Sequence, residues 1–295
     1  MSDQNVLPQI TQDMINAYDE YTHLTLDRRG FMEKLAKLAG SGAAAAAIAP
    51  MLGASSAQAA MVEEGDARVE ASDVTYPGQG GEMKGYLALP KERSGKLPGV
   101  IVIHENRGLN PHIKDVARRM ALEGFAALAP DFLSPAGGTP GNEDTARDMI
   151  GKLDGAQTVA NGVASVAFLK AHEAANGKAG AMGFCWGGGM AGSIAVADPG
   201  LAAGVVYYGR QPAAADVPNI AAPLLLHYAS LDERINAGIA DFEAALKAAG
   251  KTYELHMYEG ANHAFNNDTS EARYNKAAAD LAWGRTVVFL KKNAG

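Results

Sequence analysis

A single cysteine, Cys185, stands in a chain of 295 residues, so no disulfide can form within it. Aromatic residues are scarce at 7%, and the seven histidines are scattered, with no Cys/His cluster at zinc-ligand spacing. We therefore expect no metal and no cofactor. Positive charge is also in deficit, 26 Lys and Arg against 33 Asp and Glu, and no basic patch suits nucleic acid. Long apolar runs are missing beyond an Ala-rich stretch near the N-terminus, and Ala-rich segments span membranes poorly. What remains is 47% hydrophobic and 20% charged, enough to bury the core of a soluble globular domain.

Residues 1–59 differ from the rest. Arg28 and Arg29 precede Phe31, a weakly hydrophobic run covers residues 35–52, and Ala57-Gln58-Ala59 places small residues where a signal peptidase reads them. Together they resemble a twin-arginine export signal. The expectation is a signal segment over residues 1–59, a polar linker over 60–73, one domain over 74–295, the twin-arginine export machinery as a partner and a periplasmic location. The alternative is a retained amphipathic helix, since the polar lead over residues 1–24 is longer than a minimal signal needs.

Beyond the linker, Val74 to Tyr76 and Gly85 to Pro90 read as an antiparallel entry hairpin around Gly78 to Gly81. Apolar strand-type runs follow at residues 98–104, 125–129, 178–184, 203–208, 223–229 and 253–258, separated by helix-length segments. That alternation implies an α/β fold, a doubly wound and mostly parallel sheet flanked by helices.

Gly183-Phe184-Cys185-Trp186-Gly187 has the form of a nucleophile elbow, a sharp strand-to-helix turn that exposes its central residue at a helix N-terminus. The dipole and free N–H groups there favour thiolate over thiol. A structural cysteine in a Gly-rich turn is the plain alternative. Asp232 and His263 lie just beyond two later strand runs, giving the order nucleophile, acid, histidine. Singly, Asp232 reads as a turn or cap and His263 as a loop residue; three such residues at strand ends in this order point to a catalytic triad. Glu105 ends the strand over residues 98–104, and the expected oxyanion donors are the backbone N–H groups of Asn106 and Trp186.

The Gly-x-Cys-x-Gly elbow, Glu105, Asp232 and the Gly260 to Phe265 loop resemble the dienelactone hydrolase, or carboxymethylenebutenolidase, family. The resemblance runs over about residues 74–292 and implies an α/β-hydrolase fold and a Cys-His-Asp hydrolase of small esters or lactones acting through an acyl-enzyme. It also implies that Glu105 holds the resting thiol away from the histidine. One departure stands out: where the family carries a substrate-binding arginine after His-Ala-Phe, this chain has Asn266-Asn267-Asp268. Arg147, Arg273 and Tyr208 are candidate substrate contacts, with Arg107 and Arg234 as further cations nearby. A general carboxylesterase or thioesterase, or a non-catalytic ligand-binding relative, are the alternatives. A nicotinamide enzyme is disfavoured because the Gly-rich turn lacks Gly-x-Gly-x-x-Gly spacing.

Overall fold

Along the central strand Val100 and Val102 face one side and Ile101 and Ile103 the other, and both sides are fully buried, as a strand covered by helices on both faces requires. The computed structural model of the chain describes residues 9–53 and 60–295. Its sheet has eight strands: β1 (Val69–Gly78), β2 (Gly81–Pro90), β3 (Leu97–Ile103), β4 (Ala126–Asp131), β5 (Ala175–Phe184), β6 (Gly204–Tyr207), β7 (Leu224–Ala229) and β8 (Tyr253–Tyr258). Their order is β1-β2-β4-β3-β5-β6-β7-β8. The first two join antiparallel, and β4 through β8 run parallel. This is the doubly wound sheet that the alternation predicts.

The N-terminal helices are α1 (Gln12–Thr22), α2 (Arg28–Ala39) and α3 (Gly42–Leu52). Those of the sheet domain are α4 (Pro111–Leu122), α5 (Glu143–Ile150), α6 (Gly155–Ala171), α7 (Trp186–Ala197), α8 (Glu233–Asn236), α9 (Ile239–Ala248) and α10 (Lys276–Ala294). Local chemistry starts them where they start: Asn110, Asp154 and Asn275 each accept a backbone N–H of the first turn of α4, α6 and α10, and Pro111 opens α4. Ile113, Val116 and Met120 of α4 and Leu290 of α10 cover one face; Val166 and Leu169 of α6 and Ile194 of α7 cover the other.

The expected linker over residues 60–73 needs correction. Val62 is buried, its N–H donating to Asp115 Oδ1 at 2.8 Å and its carbonyl accepting from Arg118 Nε at 2.7 Å, and β1 already begins at Val69. This strand is an edge strand whose first five residues are exposed or half-buried, so its polar composition imitates a linker.

Residues 9–53 form three helices with a small apolar core of their own. Tyr21 stacks on Phe31 with centroids 4.9 Å apart, and Leu35, Ile48 and Leu52 are fully buried beside them. Asp27 caps α2 and Gly40, at φ +79°, ends it. Among the described residues no single helix is long and apolar enough to cross a membrane; α2 and α3 together are, but they meet at 111°. The Ala57-Gln58-Ala59 site lies outside the described residues.

Candidate active site

Cys185 sits between β5 and α7 at φ +56°, a conformation that costs a non-glycine residue energy. Glycines make the turn possible: a Cβ on Gly183 would lie 2.0 Å from the Gly187 carbonyl oxygen, and one on Gly187 would lie 2.4 Å from that of His104. Trp186 is the first residue of α7, so its N–H has no partner within the helix. Its ring stacks on buried His104 at 5.2 Å, and His104 Nε2 accepts the Phe132 N–H at 3.3 Å. Burial holds His104 below its ordinary pKa, so it packs as a neutral ring.

β7 and β8 pair in register up to Ala229 and Tyr258, so the loops that follow start side by side. They bring His263 Nδ1 to 2.5 Å from Asp232 Oδ2, both side chains buried. Asp232 Oδ1 accepts the Ile235 N–H at 3.2 Å, so the residue is also the cap of α8. His263 Nε2 is buried without a hydrogen-bond partner, and a ring nitrogen of His263 lies within 4.8 Å of Cys185 Sγ. Burial opposes the imidazolium of His263, but the charges of Asp19, Asp232 and Cys185 overcome it and raise its pKa well above the ordinary value. Burial likewise pushes the Cys185 thiol up; His23 and then His263 outweigh it and bring the thiol down to about 6.

Glu105 lines the same site, buried, with Oε2 accepting from Asn267 Nδ2 at 2.7 Å and Oε1 unpartnered. The Asn-Asn-Asp departure thus has structural work: Asn267 holds Glu105, and Asp268 pairs with Arg119 at 2.6 Å and His112 at 3.1 Å. The Tyr208 hydroxyl is buried and unpartnered beside the His263 ring.

The arginines expected around substrate line the pockets that reach Cys185, and each of them also contacts α1. Arg107 donates to Tyr18 Oη at 3.3 Å, Arg147 lies over the Tyr21 ring at 4.3 Å, Arg234 Nε donates to Asp19 Oδ2 at 3.3 Å, and Arg273 lies over the Tyr18 ring at 5.0 Å. Asn106 adds a bond from Nδ2 to the Thr22 carbonyl at 2.5 Å. α1 consequently delivers two residues the sequence reading leaves out, His23 and Asp19. His23 Nε2 lies 3.3 Å from Cys185 Sγ. A pocket of about 490 Å³ still reaches Cys185, past Leu24, Arg147, Met190, Arg210 and Arg234. Arg210, also absent from that reading, makes no ion pair among the described residues.

Two sets of ligand-type side chains cluster within 4.8 Å, His23, Cys185 and His263, and Asp19, Asp232 and His263. Both consist of the triad and the α1 residues facing it.

With this geometry, the comparisons with known proteins are decisive. A model of the dienelactone hydrolase family matches residues 83–294. The chain belongs to the dienelactone hydrolase family. Two relatives named "Putative carboxymethylenebutenolidase" are similar to it. That of Saccharolobus solfataricus is 34% identical over 75% of this chain and 98% of its own, and that of Escherichia coli O157:H7 is 31% identical over 80% and 92%. The solved structure of a "Putative Dienelactone Hydrolase" from Klebsiella pneumoniae superposes with a TM-score of 0.69 at 30% identity, covering 76% of this chain and 99% of that one. The α/β-hydrolase fold and membership of a hydrolase family follow. Helices α1 to α3 lie outside the family match.

Proposed function

We propose that this dienelactone hydrolase family member cleaves a small ester or lactone through an acyl-enzyme on Cys185. The observation that carries the reading is the dyad of His263 and Asp232, joined at 2.5 Å, with the free Nε2 of His263 facing the only thiol of the chain. In acylation Cys185 attacks the carbonyl carbon as the thiolate, with His263 carrying the proton as imidazolium, the oxyanion develops toward the backbone N–H groups of Asn106 and Trp186, and His263 Nε2 gives its proton to the departing oxygen. In deacylation His263 takes a proton from water, hydroxide adds to the thioester, and sulfur leaves. Asp232 holds the ring so that Nε2 faces sulfur.

The names of the relatives point to enol-lactones, and the cationic wall of the pocket, with Arg147, Arg210 and Arg234, suits a substrate that carries a carboxylate. The loss of the family arginine to Asn267 keeps a general carboxylesterase or thioesterase as the second reading. We also propose, from the sequence signal, export through the twin-arginine machinery to the periplasm; Arg28 and Arg29 stand exposed on α2, where a receptor can read them.

Cys185→Ala tests the mechanism. With aryl esters and small lactones it should leave hydrolysis at the uncatalysed rate, while the wild-type chain shows an acyl adduct on Cys185 by mass spectrometry under turnover. Hydrolysis near wild type in Cys185→Ala overturns the reading.

A further inference from the structure

The geometry points to His23, carried by the N-terminal helix α1 and braced by Asp19, as a second catalytic base on Cys185, so that the active site is complete only with residues 9–53 in place. The inference rests on Cys185 as the nucleophile and adds a residue from outside the family fold.

Asp19 and His23 are four residues apart, a spacing that puts both side chains on one face at the C-terminal end of α1. His23 Nδ1 donates to the Asp19 carbonyl at 2.8 Å and lies 3.3 Å from its Oδ1, while Nε2 points at sulfur. Arg234 Nη2 stands 2.8 Å from the same Nε2, and a guanidinium can only donate, so in this arrangement Nε2 is an unprotonated acceptor. A lone pair 3.3 Å from a thiol sulfur is positioned to take its proton.

The backbone supports the assignment. Among the described residues four non-glycine residues have positive φ, namely Leu24, Cys185, Tyr208 and Ala264, and all four border the site. Leu24, immediately after His23, belongs to the same strained set as the nucleophile. The turn that presents His23 is therefore held against a cost, by the Arg107, Arg147, Arg234 and Arg273 contacts to α1.

The charges facing sulfur come from several elements: His23 and Asp19 from α1, His263 and Asp232 from the loops after β8 and β7, and Glu105 after β3. Arg234 on α8, Arg147 on α5 and Tyr208 after β6 border the open pocket; Arg107, Glu143 and Arg273 border the enclosed side. In the step inferred, the S–H bond breaks, an N–H bond forms on His23 Nε2, and the electron pair stays on sulfur. Arg234 gives up Nε2 and keeps Asp19 as its partner. Burial opposes the resulting imidazolium, but the Cys185 charge and the Asp19 hydrogen bond outweigh it and lift His23 to about 9. His263, already protonated, is then free to serve as the acid for the leaving group, and His23 keeps its proton as the counter-cation of the thiolate through both half-reactions.

The test uses the full chain as wild type, His23→Gln and Asp19→Asn. Iodoacetamide alkylation of Cys185, followed across pH by mass spectrometry, reads thiolate formation without any substrate, so it stands apart from the test of the hydrolytic mechanism. The wild-type midpoint should lie near 6. Losing an adjacent cation raises a thiol pKa, so His23→Gln should move the midpoint up by about one unit, slow alkylation at pH 6 about fivefold and lower kcat more than KM. Asp19→Asn, which keeps the imidazole, should shift it the same way by less. An unchanged midpoint and kcat in His23→Gln, or a rise in kcat as α1 loosens, overturns the inference. Should His23→Gln misfold, the same two readouts on Asp19→Asn decide it.

Discussion

His263 and His23 each approach Cys185 with an aspartate behind the ring, yet two different kinds of structure hold them there. His263 and Asp232 stand on loops that leave neighbouring parallel strands in register, so the sheet itself fixes their 2.5 Å contact. His23 and Asp19 stand on one helix outside the sheet, docked by side-chain contacts from Arg107, Arg147, Arg234 and Arg273. Of these only Arg234 with Asp19 is an ion pair, worth roughly 0–1 kcal/mol at its part-exposed position, while Arg107, Arg147 and Arg273 are buried and the two stacked on Tyr21 and Tyr18 contribute about 0.5–2 kcal/mol each. We therefore expect the first dyad to stay as long as the sheet is folded, and the second to be displaceable while the sheet persists. A site built this way has a permanent half and a removable half.

The comparison predicts unequal losses. Asp232→Asn should be the larger, lowering kcat about 10²- to 10⁴-fold, because the asparagine amide favours the wrong tautomer of His263. The loss is not one of folding: Asp232 also caps α8, a role worth about 1 kcal/mol, but asparagine keeps it. Asp19→Asn should cost far less, because His23 Nδ1 retains the Asp19 backbone carbonyl. Equal losses in the two variants, measured on one ester, would make the dyads equivalent and remove the distinction drawn here.

Much of the permanent half is readable from the sequence, because strand ends carry its chemistry. An elbow needs glycines at Gly183 and Gly187, Asp232 follows an apolar run that reads as a buried strand, and His263 follows a strand-type run that proves to be the half-exposed edge strand β8. β1 is harder to see, since an edge strand with an exposed face has the composition of a linker. α1 is harder still. Its Asp19 and His23 have helical spacing, but only tertiary docking directs that face at Cys185, and no pattern in residues 9–53 encodes a contact 162 residues away. The four arginines are half-legible for the same reason: their place at the site can be read from the sequence, but the helix they also hold cannot.

Glu105→Gln probes a smaller asymmetry within the permanent half. The carboxylate has Oε2 satisfied by Asn267 and Oε1 free, and it lines the same pocket as Cys185, the place needed for the restraining role that the family resemblance implies. A negative charge near sulfur disfavours thiolate, so its removal should lower the Cys185 midpoint below about 6. Alkylation at pH 5 should then quicken about threefold, with no change at pH 8, where the wild-type thiol is already ionised. His23→Gln moves the midpoint the opposite way, so the double variant should lie between the two. Identical alkylation profiles for wild type and Glu105→Gln would leave Glu105 only the structural task of holding Asn267.

The smallest effect on catalysis, and the sharpest on location, belongs to the arginine pair. Arg28 and Arg29 are on α2 with side chains 78% and 87% exposed, engaged only with Asp144 and Glu33 among the described residues, and neither touches His23, Asp19 or the triad. Replacing both with lysine preserves charge and removes the planar fork that a twin-arginine receptor distinguishes. Hydrolysis by the purified variant should match wild type, while fractionation should find it in the cytoplasm instead of the periplasm. A periplasmic variant would overturn the export reading without touching the catalytic one. The intact mass of the exported wild-type protein carries the comparison further. The removable half can work in the periplasm only if it travels uncut, so the mass should include residue 23. An active periplasmic form that starts after Ala59, with its thiol still ionising near 6, would mean that the sheet alone supplies the whole site.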